Sequence, residues 1–173
     1  MGASSVFYRD RRTASTALNE LMDVKGFDDP RSVDVLARLV HSLTCDGDLV
    51  VDFFAGSGST GHAVWEQNLR DEQSRRWVLV QAPESTYIST ESGKNAAREG
   101  YSTIFDITAE RLRRAAAMLG AESLGFRVFL VRQGRLALWR VTQAADPFRA
   151  NGYEHTTGVH RNVLRRVDTA VHK

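Results

Sequence analysis

The chemistry-bearing residues of this chain cluster in one short stretch. Residues 50–64 read VVDFFAGSGSTGHAV, with Gly56, Gly58 and Gly61 in the spacing G-x-G-x-x-G. An apolar run precedes them and a helical pattern follows, which is the setting this spacing needs to cradle a ligand. Glycine permits a tight turn with positive φ and lets a ligand approach the backbone where no Cβ stands. The N-terminus of the following helix adds unpaired N–H donors. A tight strand-to-helix turn with no ligand is the structural alternative. Three ligand classes compete for the turn. A nucleoside triphosphate calls for lysine at the end of the loop, where this chain has Ser59-Thr60-Gly61-His62. A dinucleotide, with Glu84 on its ribose, fits poorly because Asp52 at the strand tip repels a pyrophosphate. An acid there suits a ligand with an ammonium group. S-adenosylmethionine has an ammonium and a sulfonium and no phosphate. Its carboxylate could use the N–H groups of the turn, and Glu84 could accept both ribose hydroxyls. At least one of Phe53 and Phe54 is expected in the core; a phenylalanine beside the adenine is the functional alternative.

These residues must be positioned by alternating strands and helices. TASTALNELM carries Leu18, Leu21 and Met22 at helical spacing. Pro30 or Ser32 opens a second helix, with Val33, Leu36, Val40 and Leu43 as its apolar stripe. CDGD reads as a turn, and LVVDFF as a buried strand. A helix is expected from Ser59 or Thr60 to about Leu69, then a strand in RRWVLVQAPE. A helical turn is expected at Asn95–Glu99, and a third, short strand in YSTIFDI. TAERLRRAAAMLG reads as a helix with Thr108 as N-cap, Leu112, Ala115, Ala116 and Leu119 inward, and Gly120 at its end. FRVFLVRQGRLALWRV reads as a hairpin about Gln133-Gly134. From Thr142 the sequence has few apolar residues and no period, and a loosely ordered tail is expected. Alternation of this kind implies an α/β fold with a mostly parallel sheet. Its ligands sit beyond the carboxyl ends of the strands.

Bulk properties narrow the class. The chain has 173 residues, 42% of them apolar and 25% charged, with a net charge of +2. That suits one globular domain and leaves a nucleic-acid partner open. A single cysteine, Cys45, rules out a disulfide within the chain, so a cytoplasmic setting is expected. No run of apolar residues reaches membrane-spanning length, and MGASSVFYRDRR has no secretory character. His62, His155 and His160 lack ligand spacing with cysteine or acid partners, so no metal site is expected. His62 is expected on the outer face of its helix, and the arginines of ERLRRA in solvent.

DFFAGSGSTGHAV resembles motif I of the amino-methylating DNA methyltransferases, specifically the adenine-N6 modification subunits of type III restriction–modification systems. FDDPRSVDVLARLV is similar to their motif X, and YRDRRTASTALNELMD to the segment leading into it. WVLVQAPE resembles motif II; GYSTIFDITAERLRRA and LGFRVFLV resemble the stretches that follow. The likeness runs over residues 7–131. It implies a partial Rossmann-like methyltransferase fold: a lead-in at 1–24, a core at 25–131 that binds S-adenosyl-L-methionine, and a divergent tail at 132–173 beginning within the C-terminal hairpin. It implies that Asp52, Phe53, Ala55, Gly56, Ser57 and Gly58 line the cofactor pocket. Thr60 would cap or contact it, and Glu84 would hold the ribose. Phe27, Pro30, Arg31 and Ser32 would close the methionine side, with Arg31 where the family more often has lysine. Asp106 either borders the adenine or precedes the Thr108 cap.

The same family needs D/N-P-P-Y/F to hold a flipped base. DDPR at Asp28–Arg31 and DPF at Asp146–Phe148 do not qualify, so no catalytic residue is assigned. In these subunits the catalytic and target-recognition regions precede motif X. The resemblance therefore implies the C-terminal, donor-binding part of a longer adenine-N6 DNA methyltransferase, inactive alone. Implied partners are DNA, a catalytic N-terminal half, a restriction subunit or a second copy of the chain. The other readings are a non-catalytic S-adenosylmethionine-binding module, half of a split enzyme, and a dinucleotide-dependent oxidoreductase.

Overall fold

The computed structural model describes residues 11–86, 90–121, 123–132 and the strand at 135–140. The elements in order are α1 (Arg11–Met22), α2 (Val33–Leu43), β1 (Leu49–Asp52), α3 (Ser59–Asp71), β2 (Arg76–Leu79), α4 (Glu91–Arg98), α5 (Ile104–Leu119), β3 (Arg127–Arg132) and β4 (Arg135–Arg140). Two compact units divide at Leu124/Gly125. The second holds the antiparallel pair β3–β4, in register from Arg127↔Arg140 to Arg132↔Arg135. That is the expected hairpin; its turn residues Gln133 and Gly134, and the tail from 141 with Asp146–Phe148, His155 and His160, lie outside the described residues.

In the first unit β1 and β2 run parallel, with Leu49 opposite Arg76 and Asp52 opposite Leu79. The ladder extends past the strand ends, because Val80 N–H donates to Asp52 O at 2.8 Å and Ala55 N–H to Val80 O at 3.1 Å. One face of this small sheet is covered by α3. A Cβ built on Gly61 would stand 3.2 Å from Leu79 Cδ1, 3.3 Å from Trp77 Cε2 and 3.0 Å from Leu112 Cδ2 of α5. Glycine at this position lets sheet, α3 and α5 meet. The rings of Trp65 and Trp77 join α3 to β2 edge-on, 5.3 Å between centroids. A second cluster, of Leu18, Met22, Ala96 and Ile107, ties α1, α4 and α5 together, with Phe27 and Tyr101 against it.

Arg75 fixes the return from α3 to β2. Its buried guanidinium donates to Asp71 at 3.0 Å and to Thr44 Oγ1 at 2.7 Å. That arginine holds the Asp71 carboxyl well below the usual carboxylate range.

Several expectations need correction. Residues 101–107 form no strand: Thr103 starts α5 in a capping box, its hydroxyl accepting from Asp106 N–H and the Asp106 carboxylate from Thr103 N–H. Thr108 therefore lies inside the helix, and only the isolated bridge Ser85↔Thr103 remains of sheet pairing there. The helix expected at Asn95–Glu99 begins earlier, at Glu91, capped by Thr90. On α2 the buried residues are Ala37 and Val40, while Leu43 is exposed. Nor is β1 fully buried. Leu49, Val51, Val78 and Val80 are each about half exposed, on the face opposite α3.

An apolar face of this kind is expected to drive association. Sedimentation at high protein concentration should show self-association of the wild-type chain. Val51 and Val78 are register partners, so Val51→Lys with Val78→Glu places an opposite-charge pair there. The double variant should sediment as a monomer, with stability changed by no more than about 0.5 kcal/mol. A monodisperse wild-type monomer would sink the idea.

Candidate functional site

The site grows from the end of β1. The chain leaves the strand at Asp52, whose carboxylate bridges the ends of the turn. One oxygen accepts from Phe54 N–H at 3.0 Å and the other from the Thr60 hydroxyl at 2.6 Å. Thr60 belongs to the first turn of α3, so the acid at the strand tip is tied directly to the helix start. The two phenylalanines after it point outward: Phe53 is 66% and Phe54 90% exposed. The expectation that at least one of them fills the core is overturned.

Ala55 is buried, and Gly56 follows with φ +54°. Gly56 N–H donates to Gln81 Oε1 at 2.8 Å, and its carbonyl accepts from Thr108 Oγ1 at 2.5 Å. A Cβ on Gly56 would stand 3.3 Å from Phe27 Cζ, so Phe27 reaches the turn across 29 residues of sequence. Gly58 adopts φ +79° as the residue before α3, and no side chain caps that helix. Its dipole end and free donors are therefore left to the turn.

Beneath the turn lies a polar layer. Ser57 and Ser59 are buried, their hydroxyls 3.3 Å apart. Arg111 Nη1 of α5 donates to each hydroxyl at 2.7 Å. Burial lowers the Arg111 pKa to about 10, which leaves it charged at neutral pH. His62 is buried too, and burial, then the charge of Arg111, lowers its pKa to about 4. Both residues contradict the expected solvated positions. α3 is enclosed by α2, the sheet and α5, so more of its circumference is interior than one apolar stripe would give.

The rest of the expected set is spread around the turn. Glu84 is exposed beyond β2, and its carbonyl accepts from Ile104 N–H at 2.8 Å, which holds it by the start of α5. Pro30 is buried and Arg31 exposed. Ser32 serves as N-cap of α2, accepting from Val35 N–H at 3.4 Å. Asp106 is the partner of the Thr103 cap. Sequence reasoning missed Gln81, Thr108 and Arg111. For Thr108 a signal existed, since with Leu112 it sits at helical spacing on the face of α5 that meets Gly58 and Gly61; for Arg111 none did. Among the described residues no cluster of histidine, cysteine and acids could hold a metal, and no helix is long and apolar enough to cross a membrane.

A turn with an acid at one end and free helix donors at the other suits a small molecule bearing both an ammonium and a carboxylate. Comparison with known proteins points to one family. A family model described as DNA methylase matches residues 5–102. The EcoP15I Mod subunit, a type III restriction-modification enzyme of Escherichia coli, is 37% identical over 129 residues, 73% of this chain and 19% of that protein. The EcoPI Mod subunit of Escherichia phage P1 is 34% identical over 132 residues, 72% of this chain and 20% of that protein. The type II methyltransferase M.KpnI of Klebsiella pneumoniae is 33% identical over 108 residues, 62% of this chain and 24% of that protein. The chain thus spans about a fifth of the length of the curated relatives it matches.

Proposed function

This chain belongs to the DNA methylase family, and from that premise we propose that it is the part of an adenine-N6 DNA methyltransferase that binds S-adenosylmethionine. The observation that carries the reading is Asp52, set at the tip of β1 and tied by Thr60 to an uncapped glycine turn. Asp52 takes the ammonium of the ligand, and the ligand carboxylate sits against Ser57 and the start of α3, with Gly56 and Gly58, whose N–H groups are held by Gln81 and Ala55, lining the turn beside it. Glu84 accepts the ribose hydroxyls. Phe27 with Pro30, Arg31 and Ser32 borders the methionine side, and Phe53 and Ala55 line the remaining wall. Bound S-adenosylmethionine supplies a methyl group on a sulfonium. The chain's own work is to hold that group still and oriented. The acceptor side needs D/N-P-P-Y/F, and the 173 residues contain no adjacent prolines. DNA, a segment bearing that motif, and a restriction subunit are the proposed partners, and the bacterial cytoplasm is the proposed setting. No methylation of unmodified DNA is expected from this chain alone; turnover in a methyl-transfer assay would overturn that.

Titration calorimetry tests the donor site. Saturable binding of S-adenosylmethionine is expected. Asp52→Ala should weaken it by roughly 10- to 100-fold, the size of a lost charge-assisted hydrogen bond. Folded protein that does not bind, or that binds equally well without the carboxylate, refutes the assignment. Competition by NAD would instead favour a dinucleotide site.

A further inference from the structure

Arg111 is the least expected group in the molecule. It is 3% exposed, and its hydrogen bonds go to neutral oxygens, the hydroxyls of Ser57 and Ser59 and, at 3.5 Å, the Ser57 carbonyl. Among the described residues its Nε has no partner. Glu110, the adjacent residue, is engaged with Arg113 and Arg114. The other buried base close by, His62, is neutral at pH 7. A buried cation with no counter-ion costs several kcal/mol unless something balances it. Here it lies under the turn at the uncapped start of α3, where the helix dipole adds positive potential of the same sign. Asp52 supplies the opposite sign at the other end of the turn.

We propose that Arg111 is a positioning residue of the donor site: its guanidinium braces Ser57 and Ser59 from beneath and makes the turn select ligands that carry a carboxylate. This rests on the donor-binding reading above. The buried charge is balanced when the ligand carboxylate sits over the helix start. The preorganised turn then holds its N–H groups in place without rearrangement. A purely structural strut would hold the turn with no such selectivity.

The test compares S-adenosylmethionine with its decarboxylated analogue, which keeps sulfonium and ammonium and lacks only the carboxylate. Both are titrated into wild type, Arg111→Gln, Arg111→Met and Arg111→Lys, each checked for folding by circular dichroism. Gln keeps an amide donor for the serines without charge; Met is apolar and of similar length, a replacement that buried ions often tolerate. Wild type should prefer the carboxylate-bearing ligand. The neutral variants should lose roughly tenfold in that preference, with affinity for the decarboxylated analogue little changed. Arg111→Lys should restore most of the preference. Equal weakening of both ligands, a preference kept by Gln and Met, or a wild type that does not discriminate would each overturn the proposal. Should wild type bind neither ligand, the donor-binding reading itself fails, which is seen before any variant is made.

Discussion

Gly58→Ala is expected to destabilise the chain by about 2–5 kcal/mol, the sum of two separate costs. The first is backbone strain. Gly58 has φ +79°, a conformation that costs an L-residue roughly 1–2 kcal/mol. The second is overpacking. The new Cβ would stand 3.1 Å from Thr108 Cγ2 and 3.4 Å from Leu112 Cγ, inside the contact of the turn with α5. Pressing a methyl into such a site costs typically about 1–3 kcal/mol. Thr108 cannot simply turn away, because its hydroxyl bonds both Gly56 O and Ile104 O. Gly47→Ala is the matched control: φ is +77°, yet nothing lies within 4 Å of the added atom. It should show the strain cost alone. Urea unfolding of the two variants separates the terms, since the difference in midpoint at constant m reports the packing cost. Equal losses in the two would mean that α5 does not clamp the turn. Shifting Thr108 also moves the Gly56 carbonyl, so affinity for S-adenosylmethionine should fall in Gly58→Ala and hold in Gly47→Ala.

The β1–turn–α3 stretch was legible because its information is local. Glycine spacing, an apolar run before it and a helical pattern after it all lie within residues 49–71, and the structure has strand, turn and helix there. Gly120 likewise marks the end of α5, in the left-handed conformation expected of it. The start of α5 was misread although its signal is equally local. Tyr101-Ser-Thr-Ile-Phe carries strong strand propensity, and that outweighed the capping pair Thr103 and Asp106. The buried polar layer was illegible for another reason. Arg111 meets Ser57 and Ser59 across more than 50 residues. Nothing in ERLRRA distinguishes the arginine that turns inward from the two that pair with Glu110. Charge runs default to solvent; only the geometry of the turn above could have said which cation it needs.

His62 should make the chain acid-sensitive at an unusually high pH. An unfolded histidine titrates near 6.5, whereas the buried ring in the fold has its pKa lowered to about 4. Below pH 6.5 the unfolded chain therefore takes up a proton that the folded chain refuses. Stability is fully present above pH 6.5 and declines as pH falls toward 4. The shift corresponds to a loss of roughly 3 kcal/mol across that window. The carboxylate contribution lies lower. Asp71, held down by Arg75, gives stability that persists until pH falls below its unfolded value near 4. The two contributions are separated by His62→Leu. Among the described residues neither ring nitrogen of His62 has a hydrogen-bond partner, so replacing the ring by an apolar side chain removes a buried polar group without orphaning another. His62→Leu should be as stable as wild type or more stable at pH 7, and flat between pH 6.5 and 4. Urea midpoints measured every half unit of pH test this. A variant that retains the wild-type slope would assign the acid sensitivity to another group, and a wild type with no slope would place His62 in contact with water. The same buried proton balance links stability to the site. Protonating His62 would put a second positive charge beside Arg111, so unfolding in this window should begin with α3 and the glycine turn. Binding of S-adenosylmethionine, by adding a carboxylate over the helix start, should move the onset to lower pH.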